Sequence, residues 1–211
     1  MRRVMLVSSV LVAMAARLSA QEPPPRIGPI VLDLHGTVPR FPDDGGLALS
    51  RGISITQLPG AGLGVQAGLH LYFLHWRAIT FGFGGEAVVA RAKQTPAAAT
   101  KLRPVTEQFR SLGSQLSLNF GSGNGWSYLS GGIGRSNWSL VPESGAPLFT
   151  DEEPLKTINY GGGARWFIRR HVAFSFDVRF YALNPGTPSS GFPASPRTTL
   201  MAIAAGLSLK P

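Results

Sequence analysis

Seven ionisable residues, Asp33, His35, His70, Glu86, Arg165, Asp177 and Arg179, sit inside runs in which polar and apolar residues take turns, and any chemistry is to be sought there first. A buried charge is severely penalised unless it is paired. The leading reading is therefore a structural ion-pair network that joins Asp33, Glu86 and Asp177 to Arg165 and Arg179. The same groups separated by water would instead form a proton- or ion-conducting path. Nucleophilic catalysis needs a hydroxyl or thiol beside a base. His171 and Ser175 invite that reading, but no G-x-S-x-G elbow occurs and no close His–Ser pair falls in a long loop. The four histidines, His35, His70, His75 and His171, lack metal-ligand spacing, and there is no HExxH. With no cysteine, disulfides, thiol catalysis and thiolate zinc sites are excluded. Asp151-Glu152-Glu153 has the oxygen chemistry of a Ca²⁺ site, but such a run in a loop is usually just solvated. Gly161 to Gly163 lack the strand-loop-helix setting of a phosphate cradle. Neither a cofactor nor a metal is expected.

The elements that must position these residues are strands. Successive side chains of a strand point to opposite faces, so a half-buried strand alternates in polarity at every step. Ile30, Leu32 and Leu34 alternate with Val31, Asp33 and His35, and Leu63 to Phe73 continue the pattern with Gln66, His70 and Tyr72 on the second face. Ile79, Phe81, Phe83, Ala87 and Val89 oppose Thr80, Gly82, Gly84 and Glu86; Leu112, Leu116, Leu118 and Phe120 oppose Gly113, Gln115, Ser117 and Asn119. A glycine-rich run from Trp126 to about Val141 places Leu129 and Ile133 on the apolar side. Ile158, Tyr160, Ala164, Trp166 and Ile168 oppose Asn159, Gly161, Gly163 and Arg165. Val172, Phe174, Phe176, Val178 and Phe180 oppose Ser175, Asp177, Arg179 and Tyr181, and Met201 to Leu209 form the last run. Eight strands are expected.

In a water-soluble barrel or sandwich the second face would carry many exposed charges. Here it is mostly Gly, Ser, Thr, Ala, Asn and Gln with isolated charges, which suits the narrow polar interior of a barrel whose outside meets lipid. The connections agree, because short turns alternate with long loops as they do in outer-membrane barrels. The short ones are Leu74-His75-Trp76, Gly121 to Gly125 with its Asn-Gly turn signal, and Arg169-Arg170-His171. The long ones run over residues 39–60, part of 47–58 being a further strand candidate, then to Pro104, through the acidic cluster, and over 184–197. An even strand number puts both ends of the barrel on the short-turn side. Tyr72, Phe73, Trp76, Trp126, Tyr128, Trp166 and Phe167 lie near short turns, as an interfacial belt requires, although such rings also fill soluble β cores.

Residues 1–20 read as a cleavable signal peptide: Arg2 and Arg3 start it, Val4 to Ala16 form its apolar run, and Leu18-Ser19-Ala20 precede the cut. A short polar segment, 21–26, leads into a single barrel domain, 27–211. The net charge is +9, and loss of Arg2, Arg3 and Arg17, with no acid among the first twenty residues, leaves +6. The remaining basic residues are scattered singly without interleaved aromatics, so nucleic acid is not the expected partner; anionic lipid headgroups are. Arg91, Lys93, Lys101 and Arg103, near one long loop, are candidate lipopolysaccharide contacts.

The segment Gly161-Gly162-Gly163-Ala164-Arg165-Trp166-Phe167, the turn Arg169-Arg170-His171 and the strand Val172-Ala173-Phe174-Ser175-Phe176-Asp177-Val178-Arg179-Phe180 resemble the closing hairpin of small bacterial outer-membrane β-barrels of the OmpA-like type. The resemblance implies an eight-stranded antiparallel up-and-down transmembrane barrel, delivered by the outer-membrane assembly machinery. One departure is the end, Leu207-Ser208-Leu209-Lys210-Pro211, which lacks the terminal aromatic common in such families. The function expected is a non-enzymatic outer-membrane role, in envelope structure or surface interaction, with the barrel anchoring four extracellular loops whose partner is unknown. A lipid-modifying, acyl-hydrolase-like barrel enzyme is the alternative, and a soluble periplasmic barrel is a third.

Overall fold

The computed structural model describes residues 27–142, 154–188 and 193–211. Residues 1–20, the segment 21–26 and the cluster Asp151-Glu152-Glu153 lie outside the described residues.

Eight strands form a closed antiparallel barrel in which each pairs with its neighbours in sequence and the last closes on the first. They are β1 (Ile30–Arg40), β2 (Leu63–Trp76), β3 (Ile79–Gln94), β4 (Val105–Ser122), β5 (Gly125–Pro142), β6 (Leu155–Arg169), β7 (Val172–Leu183) and β8 (Thr198–Leu209). This is an up-and-down barrel, and its alternation faces as the sequence pattern requires. Along β7, Phe174 and Phe176 lie on the outer surface while Asp177 is 0% and Arg179 1% exposed. Leu112 and Phe73, at 69% and 70% exposure, show how bare the bulky face is. Val178 and Phe180 face outward too but are partly covered by neighbours, Phe180 stacking on Tyr160 with centroids 5.4 Å apart.

The three tight turns contain two residues each: Arg77-Ala78, Gly123-Asn124 and Arg170-His171. Leu74, His75 and Trp76 are therefore strand, not turn, and a bulge between Tyr72 and Leu74 ends the alternation just before them. The β4–β5 turn centres on Gly-Asn, one residue earlier than the Asn-Gly signal suggests. The pairing of Ser122 with Gly125 fixes it there, and the first central residue takes the left-handed backbone, φ 64° at Gly123, as Arg77 does at φ 54° in the β2–β3 turn.

The first long loop is not an added strand. Asp44 accepts a hydrogen bond from the Leu47 backbone N–H at 2.7 Å and so caps a short helix, α1 (Gly45–Ser50); a 3-10 turn, Ile55–Gln57, follows. Leu47, Ala48 and Leu58 fold down into the barrel mouth with Phe41 and pack against Phe109 and Trp138. At the other end Ile27, Val31, Tyr72 and Trp126 form a second cluster against Phe167. The interior is thus layered, apolar at both ends and polar between.

Close strand approach has a visible requirement at Gly163, where a Cβ would run into the Phe176 carbonyl and the Tyr128 hydroxyl. Gly163→Val should abolish the compact species that migrates anomalously on unheated gels. Gly45→Ala, in open space, should leave it unchanged; equal migration of both variants would remove the packing argument.

Candidate functional site

The polar layer is organised by two guanidinium groups. Arg165, on β6, donates from Nε and Nη2 to the two carboxylate oxygens of Asp33 on β1, at 3.0 and 2.7 Å. Its Nη1 donates to Asn119 Oδ1 at 2.8 Å, and Ser208 Oγ lies 3.2 Å from Nε while itself donating to Asp33. His70 stands on the far side of Asp33, its Nδ1 at 3.5 Å from Oδ2, with Nε2 3.2 Å from Gln115. A fully buried guanidinium has five N–H groups to satisfy, and a bidentate carboxylate matches its fork better than any other side chain.

Arg179, on β7, is held by two carboxylates. Nε lies 2.8 Å from Glu86 Oε2, and Nη2 donates to Asp177 Oδ2 and Ser130 Oγ, each at 2.9 Å. Glu86 also accepts from Tyr181 Oη at 2.7 Å and from Gln66 Nε2 at 2.8 Å. The five residues Asp33, Glu86, Arg165, Asp177 and Arg179 are therefore brought together as two clusters, and Tyr128 joins them. Its hydroxyl donates to Asp177 Oδ2 at 2.7 Å, and its ring lies under the Arg165 guanidinium, 3.9 Å from centroid to Cζ. Contacts are direct throughout, and the guanidinium-to-carboxylate distances are those of hydrogen bonds.

Part of this departs from the expected interfacial belt: Tyr128, Tyr72 and Trp126 point inward and are buried, and Phe167 packs on the floor cluster. Phe73, Trp76 and Trp166 do lie on the outer wall. The alternation itself carried the correction, since Tyr128 shares parity with Ser130 and lies opposite Leu129. Glu107 lies above the fourth alternating run, which starts at Leu112; extended upward, the same parity turns Glu107 inward, where it is 0% exposed.

Glu107 accepts a hydrogen bond from Trp138 Nε1 beneath the first loop. Arg51, which ends α1, lies over the Trp138 ring at 5.5 Å. Burial pulls the Arg51 guanidinium down to about 10, with the Glu107 carboxylate opposing the shift, so it remains charged at neutral pH. The loop is thus seated by a cation on a ring above an acid.

His35 and Ser175 form a hydrogen bond of 2.7 Å at the barrel centre, where both are buried. His171 is instead at the β6–β7 turn, its Nδ1 2.8 Å from the Lys210 carbonyl. Among the described residues no group of three or more His, Cys, Asp or Glu is placed to hold a metal ion. Arg91 and Lys93 project outward from the upper part of β3, and Lys101 and Arg103 lie in the connection to β4. Arg91 reaches Thr106 Oγ1 at 3.4 Å, and the Arg103 carbonyl accepts from Gln57 of the first loop at 2.9 Å.

No protein-family model matches this sequence, and no curated protein is similar to it. Solved structures are similar in fold. Ail, the attachment invasion locus protein of Yersinia pestis, superposes with a TM-score of 0.52 at 11% identity, covering 87% of this chain and all (100%) of that one. Neisserial surface protein A gives 0.49 at 12% identity, over 86% and 96% of the two chains. The outer-membrane protein AlkL, solved in lipid bilayers, gives 0.43 at 15%, over 90% and 93%. At such identities the Ail likeness establishes the fold and nothing finer.

Replacing Asp33 by Leu leaves Arg165 charged and unpaired, which should cost about 3–5 kcal/mol of unfolding free energy in a detergent micelle. Asp33→Leu combined with Arg165→Met should cost markedly less, and a double variant no better than the single one would show that the pair is not the interaction at stake. At the mouth, Arg51→Ala should raise protease cleavage within 41–62 several-fold while gel migration of the barrel stays native.

Proposed function

We propose that this chain is an integral outer-membrane β-barrel protein with a structural, envelope-integrity or surface-interaction role and no catalytic one. The observation that carries the reading is the reversal of polarity. The large apolar residues form the outer wall, whereas Arg165, Arg179 and their carboxylates fill the centre. Water on such a wall would leave a continuous apolar surface far larger than soluble monomers expose. Hydrocarbon suits it, and a closed barrel satisfies its own backbone groups there.

In this reading residues 1–20 direct export and are removed, and the assembly machinery of the outer membrane inserts residues 27–211. The resemblance of the closing hairpin to OmpA-like barrels supports the same route. The tight turns then face the periplasm and the four long loops face outward. What supports a non-enzymatic role is the place of the His35–Ser175 pair, at mid-barrel behind the mouth cluster, away from any lipid ester at the rim.

The test is membrane fractionation with gels of heated and unheated samples, together with protease added to whole cells. The barrel should extract only with detergent, migrate faster unheated, and be cut only in the long loops. Recovery in the soluble fraction with no heat-dependent migration would return the chain to a water-soluble barrel.

A further inference from the structure

The four strand-borne carboxylates, Asp33, Glu86, Glu107 and Asp177, all point into the barrel. Several strand cations do the opposite. Arg91 on β3, Arg110 on β4, Arg135 on β5 and Lys156 on β6 are exposed on the outer wall, toward the long-loop end. The registers make them a row. Arg135 is paired directly opposite Lys156. Arg110 is opposite Asn137, one step diagonal from Arg135, and also opposite Val89, one step diagonal from Arg91. Like charges directly opposite on one face of a sheet destabilise the pair, and no strand carboxylate shares that face to offset them. The row, unmatched by any strand carboxylate, is therefore a site for an anion.

Below the β3–β4 end of the row, and running across β2 to Leu32 on β1, lies an apolar trench of about 450 Å³. Its floor is small, Ala67, Gly85 and Ala87, between walls that include Leu69, Phe83 and Leu112. Leu112 is two residues below Arg110 on the same face, about 7 Å along the strand. A basic row over a hydrocarbon-sized trench is the shape of an amphiphile. From β3 to β6 the row crosses three inter-strand spacings, about 14 Å, which is more than one phosphate can neutralise.

We infer that this face binds a lipid whose headgroup carries two phosphates, held by Arg91, Arg110, Arg135 and Lys156, with one acyl chain in the trench over Ala67, Gly85 and Ala87. The assignment rests on the outer-membrane reading above, which makes the long-loop end the outer leaflet. Arginine suits the task because its fork binds phosphate oxygens in pairs.

The test uses the membrane-extracted protein reconstituted into phosphatidylcholine vesicles, with diphosphoryl lipid A, its monophosphoryl form, or neither added, and measures lipid retained on the repurified barrel. The wild type should retain the diphosphoryl lipid in preference to the monophosphoryl one. The Arg110→Gln, Arg135→Gln, Lys156→Gln triple variant should bind it roughly a hundredfold more weakly. Ala87→Trp, which fills the trench and leaves every charge, should weaken it several-fold. Equal retention of the two lipids by the wild type, a comparison that needs no variant to fold, would overturn the proposal. So would undiminished binding by a triple variant that still shows heat-dependent migration, or undiminished binding by Ala87→Trp. Binding of soluble glucosamine bisphosphate as tight as that of the lipid would make the site a free-anion site and overturn the lipid assignment. Failure of the wild type to enter phosphatidylcholine vesicles at all would instead sink the outer-membrane reading on which the proposal rests.

Discussion

A guanidinium buried inside a barrel, with no surface exposed to solvent, must be surrounded by acceptors or it will not stay there. Arg165, with no exposed surface, meets that demand through Asp33, Asn119 and Ser208, which come from three other strands. Arg179 meets it at Nε and Nη2, through Glu86, Asp177 and Ser130. Each set is complete only when the barrel is closed, because Asp33 and Asn119 for Arg165, and Glu86 and Ser130 for Arg179, lie on other strands, whereas Asp177 is two residues from Arg179 on β7. Closure and charge satisfaction are therefore one event. The strand backbones alone would allow slippage by two residues without changing which face is apolar, but such a slip would take Asp33 away from Arg165.

The layering of the interior follows from what each layer must exclude. In the middle, charged and amide side chains fill space while satisfying one another. At the two ends, where solvent begins, apolar side chains stop water from competing for those hydrogen bonds. The floor is made by wall residues and the segment leading into β1. The mouth needs material from a loop, and α1 brings Leu47 and Ala48 down onto Phe109 and Trp138. Arg51 and Glu107 extend the pairing logic of the centre up to this cap. A barrel filled in this way leaves its loops and its outer wall as the surfaces it presents. Among the strand residues the charge on that wall is all of one sign around the basic row, because the strand carboxylates face inward.

The tight turns show how local chemistry yields to register. Asn124-Gly125 has the composition of a hairpin turn, yet the pairing of Ser122 with Gly125 centres the turn on Gly123-Asn124. Full pairing along two long strands outweighs the preference of one dipeptide, and a glycine at the first central position costs nothing there. In the same way Leu74 to Trp76 are kept in β2 by their ladder with β3.

Period-two alternation determined, from the residues alone, that there would be eight strands and which face of each would carry Leu, Ile, Phe and Val. It placed Asp33, Glu86, Arg165, Asp177 and Arg179 on one common face, because parity within a strand is a local property. Most partners are not local. Asp177 and Arg179 are two residues apart on one strand, but that Asp33 serves Arg165, that Glu86 joins Arg179, and that Tyr128 ties the two sets together depend on inter-strand stagger, which no single strand encodes. The same holds for the first loop, whose apolar residues became a cap only because a closed barrel offered a mouth to fill. The row from Arg91 to Lys156 was likewise four separate cations in the chain, made neighbours by register.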